Sequence, residues 1–232
     1  MYSKNNLIQF IETQSPKEIE AHQNSLLQKQ LAYLATHSTF YQTLFKKHQI
    51  DWKQIKTVHD LEVIPVTTKN DLQEFNLDFL CVDQTEIIDY TTTSGTLGDP
   101  VTFGLTNRDL DRLAENEYTS FQRIGVKKGD AVQLMTTLDR RFMAGLAYFL
   151  GLRKLGAAAI RVGAGVPQLQ WDSILKYQPK FLVAVPSFLL KMLDYAEKNK
   201  IDFHQSSVKA VLCIGESLRD KELNPSLLAQ KI

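Results

Sequence analysis

The sequence predicts an α/β protein in which a helical N-terminal cap precedes a mainly parallel, helix-flanked sheet. Three observations carry this. Leu27, Leu31 and Leu34 recur at helical spacing early in the chain, which marks one apolar helix face. From residue 130 onwards, short apolar runs alternate with longer helical patterns, and such alternation implies right-handed crossovers and parallel pairing. The runs are mainly apolar, FLVAV at 181–185 entirely so, which fits strands covered on both faces. The cap is assigned to residues 1–80 and the α/β portion to residues 81–232, the two together forming one domain.

Taken in order, residues 17–38 read as one long helix with Pro16 at its start, a favoured place for proline. Residues 39–48 form a second helix whose apolar side is Phe40, Leu44 and Phe45. The chain is extended around Pro65, and Thr67 or Thr68 caps a helix reaching Phe75. EIIDY at 86–90 and PVTFGL at 100–105 read as an outgoing and a returning strand. A helix over 106–123 is capped by Thr106 or Asn107 and ended by Gly125. Strands over 130–136, 157–162, 181–185 and 208–214 then alternate with helices over 140–155, 167–177 and 187–199. Asp139 is the expected cap of the first of these helices, and a last helix is expected near Leu218. Ligands of parallel sheets bind beyond the carboxyl ends of the strands, which places 136–141, 163–167, 185–187 and 215–217 on one rim.

Composition narrows the function. The 232 residues are 44% hydrophobic and 23% charged, ordinary values for a globular chain. The formal net charge of +1 gives no pull towards nucleic acid or an anionic membrane. The longest apolar run, FMAGLAYFLGL, is shorter than the roughly 20 residues that span a bilayer. The N-terminus lacks the apolar core of a signal peptide. Two distant cysteines in apolar surroundings, Cys81 and Cys213, suit buried thiols in a reducing, cytoplasmic compartment. None of the five histidines forms a metal-type pair, so no residue is assigned as a metal ligand.

Between the strands at 86–90 and 100–105 lies a loop rich in hydroxyls and glycine, within TTTSGTLGDPVTF at 91–103. Glycine lets backbone N–H groups converge on an anion, and hydroxyls add donors to phosphate oxygens. It is not a Walker A loop, since no G-K-[ST] opens a helix there. On the residues alone an ordinary hairpin connection is the favoured reading, because Gly-Asp-Pro is common turn material.

TSGTLGDP at 93–100 resembles the phosphate-binding signature T-S-G-T-T-G-x-P of adenylate-forming enzymes. Leu97 stands where a second threonine is usual, and Asp99 where many members carry lysine. IPVTTKNDL at 64–72 is similar to the entry of phenylacetate–CoA ligases, which narrows the match. The resemblance implies the large domain of the acyl-CoA synthetase-like fold, and its N-terminal part only. The later family motifs, an aromatic-Gly-x-[ST]-Glu run and a lysine-bearing lid, are absent here. This polypeptide alone is therefore expected to make no thioester.

The implied activity is ATP-dependent activation of an aryl or acyl carboxylate as an acyl-adenylate, followed by transfer to CoA with Mg2+ shielding the phosphates. Thr93, Ser94, Gly95, Thr96 and Gly98 would cradle ATP. Gly215, Glu216 and Ser217 align with a stretch that borders adenine in the family; a plain turn in which Ser217 caps a helix fits them equally well by spacing. Phe142, Met143 and Gly145 would line the acyl pocket. Pro186, in a stretch resembling the family's T-P-S, would touch substrate, although Pro186 and Ser187 also suffice as a helix start. No residue is assigned as catalytic. The partners implied are a small carboxylic acid and further copies at an open sheet edge, with neither nucleic acid nor membrane. An acyl-protein synthetase, or a non-catalytic interaction module of this fold, stays open beside the ligase reading.

Overall fold

The computed structural model describes residues 14–93 and 100–232. These form two compact units: residues 14–87 with 100–104, and residues 88–93 with 105–232.

The first unit is helical, and most of its helices start on local caps. Helix α1 (Pro16–His37) opens with Pro16 in its first turn and a capping box: the Ser15 amide donates to Glu18 at 3.0 Å, and the Glu18 amide donates to Ser15 Oγ at 3.4 Å. Ser38 accepts from the Tyr41 amide at 3.3 Å and so starts α2 (Thr39–Lys47). Thr57 with Asp60, and Thr68 with Asp71, repeat the box at a 3-10 turn (Val58–Val63) and at α3 (Lys69–Glu74). Leu31, Phe45 and Ile55 form a small core. Phe40 stacks on Phe79 at 3.9 Å between ring centres, and Tyr41 meets both rings edge-on.

The second unit is the parallel sheet and its helices. Strand β1 (Asp89–Thr92) belongs to it, and the unit boundary falls within β2 (Thr102–Leu105). Helix α4 (Asn107–Arg123) follows, capped by Thr106 in a box with Asp109. Then come β3 (Ala131–Leu134), α5 (Met143–Leu155), β4 (Ala158–Arg161), α6 (Pro167–Tyr177), β5 (Phe181–Ala184), α7 (Pro186–Lys198) and β6 (Ala210–Cys213). The four strands β3–β6 pair in parallel in the order β4-β3-β5-β6. Residues of β5 alternate between two cores. Phe181 and Val183 pack with Phe121, Tyr148 and Leu152 of α4 and α5, whereas Leu182 and Ala184 pack with Trp171, Ile174, Leu189 and Met192 of α6 and α7. The sheet is therefore covered on both faces at β5, as its apolar run predicts. Gly145 lets α5 approach the strand end: a Cβ there would lie 2.9 Å from the Thr137 carbonyl carbon and inside the reach of its oxygen.

Helix α6 coincides with its predicted range, and α4, α7 and the sheet strands fall inside or within a residue of theirs. Three expectations are corrected. The first strand is shifted to 89–92, because Asp83 caps a 3-10 turn over Gln84–Glu86. Helix α5 starts at Met143 and not at 140, because Arg140 and Arg141 take left-handed backbone angles (φ 57° and 60°). No helix begins near Leu218; there the chain doubles back, with Arg219 bridged to Pro225 and the Asp220 amide donating to the Asn224 carbonyl at 3.0 Å. Cys81 and Cys213 are half-buried free thiols, and burial raises both pKa values.

Candidate functional site

The strand order decides where a ligand can enter the second unit. From β3 the chain crosses to β4 on one side and then to β5 on the other. Between the carboxyl ends of β3 and β5 the two crossovers part, and ligands of open parallel sheets bind in that crevice. Met135 and Thr136 leave β3 there, with the Met135 amide donating to Val183 at 2.9 Å. Pro186 and Ser187 leave β5, and Gly215, Glu216 and Ser217 leave the neighbouring β6.

The end of β1 reaches the same rim, for the Thr92 amide donates to the Arg141 carbonyl at 3.0 Å. Thr91 and Thr136 are both 3% exposed, and their hydroxyls have no hydrogen-bond partner among the described residues. A buried polar atom without a partner is costly, so such atoms are expected to meet a ligand or water. Thr93 follows β1 and is exposed. Ser94, Gly95, Thr96 and Gly98 lie outside the described residues.

Glu216 and Ser187 are joined. The Ser187 amide donates to Glu216 Oε2 at 2.7 Å, and the Ser187 hydroxyl donates to Glu216 Oε1 at 2.8 Å. Helix α7 has no side-chain cap of its own, so the carboxylate supplies one at the positive end of its dipole. Both carboxylate oxygens are thereby engaged. Gly215 stays bare: its φ of +78° suits glycine, and a Cβ built on it would come no closer than 3.9 Å to Val185. That leaves open backbone beside the rim where a flat group can lie. The Ser217 hydroxyl donates to the Arg219 carbonyl at 2.6 Å and accepts from its amide, which makes a turn and caps no helix.

The residues expected to line an acyl pocket divide by exposure. Phe142 and Met143 are 39% and 41% exposed at the start of α5. Gly145 is buried against the Thr137 backbone, and Pro186 is fully buried at the start of α7. Sequence reasoning missed Gln133 and Gln170, both fully buried. Gln133 Nε2 donates to Gln170 Oε1 at 2.8 Å, and Gln170 Nε2 donates to the carbonyls of Gly163 (2.8 Å) and Gly165 (3.1 Å). The signal was a lone Gln inside the apolar strand run AVQLM. Among the described residues no helix is long and apolar enough to cross a membrane.

The chain is similar to proteins of known activity. It is 28% identical over 204 residues to phenylacetate-coenzyme A ligase of Pseudomonas putida, covering 88% of this chain and 46% of that one. With the Escherichia coli K12 protein of the same name it shares 27% identity over 81% of this chain and 43% of the other. It therefore spans about half the length of these curated relatives. A crystal structure of 2-hydroxyisobutyryl-CoA ligase in complex with 2-HIB-AMP and CoA superposes with a TM-score of 0.80 at 25% identity, over 88% of this chain and 45% of that one. No protein-family model matches the chain.

Proposed function

We propose that this chain, similar over most of its length to phenylacetate–CoA ligases, supplies the nucleotide- and acyl-binding portion of an AMP-forming carboxylate–CoA ligase. The observation that carries the reading is the shared fold with a CoA ligase that binds an acyl-AMP and CoA, at a TM-score of 0.80. The reaction would join an aryl or alkyl carboxylate to the α-phosphorus of ATP, release pyrophosphate, and pass the acyl group from AMP to the thiol of CoA. Such chemistry asks a protein mainly for positioning and for donors aimed at developing charge.

The residues fit parts of this task. The bare backbone at Gly215 suits the face of a nucleobase. The hydroxyls of Thr91 and Thr136, without a partner among the described residues, offer donors on the rim. Glu216 would act as a positioning residue, holding Ser187 and the start of α7 beside the base. Phe142 and Met143 present apolar surface for the acyl group. Ser94, Gly95, Thr96 and Gly98 are proposed to hold the β- and γ-phosphates. Among the described residues no three His, Cys, Asp or Glu side chains come together for a divalent cation, and none is assigned to Mg2+. Residues 1–80 and 81–232 are proposed to act as cap and binding portion, in the cytoplasm.

Calorimetric titration of the chain with ATP tests the reading. Heat of binding should disappear in the Ser94→Ala, Thr96→Ala double variant. Binding that survives both substitutions refutes the phosphate cradle. Pyrophosphate release with a panel of aryl and alkyl acids, followed by addition of free CoA, then separates a CoA ligase from an acyl-protein synthetase.

A further inference from the structure

Gln133 is fully buried in β3, the strand between β4 and β5. Its register partners are Ile160 in β4 and Leu182 in β5, so the surrounding pattern asks for an apolar side chain. A buried amide costs free energy unless its donors and its acceptor are met. Gln133 Nε2 donates to Gln170 Oε1 at 2.8 Å and to the Gln170 carbonyl at 3.2 Å. The Gln133 oxygen has no partner among the described residues, so the pair is kept at some cost to the core.

The pair has a fixed polarity. Gln170 Nε2 donates to the carbonyls of Gly163 at 2.8 Å and Gly165 at 3.1 Å. Carbonyls only accept, so Gln170 must turn its NH2 group to the loop and its oxygen to β3. That oxygen in turn needs a donor, which Gln133 supplies. The Gly163 amide donates to the carbonyl of Leu134, the residue after Gln133, at 3.1 Å. Residues 163–166 are therefore tied to β3 twice, once directly and once through Gln170.

Little else sets the shape of this loop. Val166 takes a left-handed angle (φ 49°), a strained one for a β-branched residue. Helix α6 starts there without a side-chain cap. Among the described residues no side chain other than Gln170 hydrogen-bonds to residues 163–166. The loop follows β4 onto the rim, where Gly163 and Ala164 line an open cleft of about 530 Å3. A wall of a binding site keeps its place only when hydrogen bonds behind it lock it.

We infer that Gln133 and Gln170 are positioning residues: the buried amide pair holds residues 163–166 as a fixed wall for the ligands bound at the rim. The identity of those ligands, an acyl-adenylate and CoA, rests on the ligase reading. Two variants of the 232-residue chain separate positioning from packing. Gln170→Met leaves Gln133 and both loop carbonyls without their partners, and it should melt lower than the parent. The Gln133→Met, Gln170→Met double variant removes both amides with little change of shape, and a freed loop turns its carbonyls to water. Its urea midpoint should return to that of the parent or exceed it.

In that stable double variant the Gly163 amide should exchange at least tenfold faster than in the parent, with the amides of α7 unchanged. Calorimetry should show at least tenfold weaker binding of ATP, of CoA or of both. Parental exchange at Gly163, or a freed loop with parental affinity for both ligands, overturns the inference. Should the double variant not fold, the parent decides by NMR: the Gly163 amide and Gln170 side-chain NH2 signals should shift as ATP or CoA is added, and stationary signals overturn the inference. If neither ligand gives heat with the parent, the ligase reading fails and the positioning role fails with it. If the parent binds and the double variant binds equally well, only the positioning role fails.

Discussion

In the helical unit the chain starts its main helices with neighbouring side chains: Ser15 with Glu18 at α1, Ser38 with Tyr41 at α2, Thr68 with Asp71 at α3. In the sheet unit, α4 alone has such a start. Helices α5 and α6 have no side-chain cap, and α7 takes its cap from Glu216, 29 residues beyond Ser187. The cores differ in the same sense. Three buried residues anchor the main core of the helical unit, whereas the sheet separates two clusters of eight each. In the first unit the helix starts are set by near neighbours, whereas in the second one of them is set from across the unit. Buried polar groups without a described partner, Thr91, Gln133 and Thr136, occur in the second. Such groups accumulate where a fold keeps a site ready at some cost to itself.

The contrast can be tested most forcefully in the cores. Leu134 is fully buried at the centre of the sheet, and Leu134→Ala should cost about 3–5 kcal/mol. Leu31→Ala, in the smaller helical core, should fall at the low end of the large-to-small range, near 2 kcal/mol. Urea denaturation reads both; equal losses would remove the distinction. Gly145→Ala comes next. Its new methyl group meets the Thr137 backbone, which cannot swing aside as a side chain can, and a loss of about 2–3 kcal/mol is expected.

Caps give a smaller effect and sharpen the comparison. Thr68→Ala should cost about 1 kcal/mol and speed amide exchange only around α3. Glu216→Ala should cost a similar amount, yet speed exchange at the first turn of α7, far away in sequence. Exchange confined to residues near 216 would show that the long-range cap contributes nothing.

The smallest effect is a pH dependence within the sheet unit. Burial raises the pKa of Glu117, which sits against Gly151 where α4 and α5 pack closely. Tyr148 on the same helix pair is pushed up to about 12, first by burial and then by the Glu117 carboxylate. A carboxyl raised in the folded state favours folding when protonated, and that contribution is lost as pH rises through its folded pKa. Glu117→Gln should therefore melt slightly higher than the parent at pH 7. The gain should vanish below about pH 4, where the carboxyl is protonated in both states. A variant that melts lower at pH 7 would contradict the assignment.

Much of the fold was legible because its signals are local. Pro167 at a first turn, Thr106 three residues before Asp109, and the apolar run at 181–185 each declare an element within a few residues. The failures share a cause. Residues 140–142 have helical composition, but the turn closed by Asp139 and pinned by Thr92 holds them out of α5. The stretch after Leu218 looks helical, yet Arg219 pairs with Pro225 and donates to Leu223 at 2.5 Å instead. At the rim, Glu216 was noticed for its likeness to an adenine-bordering residue, but its bond to Ser187 was invisible. For Gln133 and Gln170 the trace was one polar residue in an apolar strand run, and their meaning lies in each other and in the loop they hold.

By itself, then, the sequence determined where most helices and strands lie and that the strands run parallel. Caps, proline positions and apolar periodicity act over a single turn or pleat, and crossover handedness follows from chain chirality. Tertiary structure alone decided the order β4-β3-β5-β6, and with it the crevice at the β3 and β5 ends and the Glu216–Ser187 bond. Strand order depends on which face each crossover helix buries best, and that free energy is summed over side chains far apart in the chain.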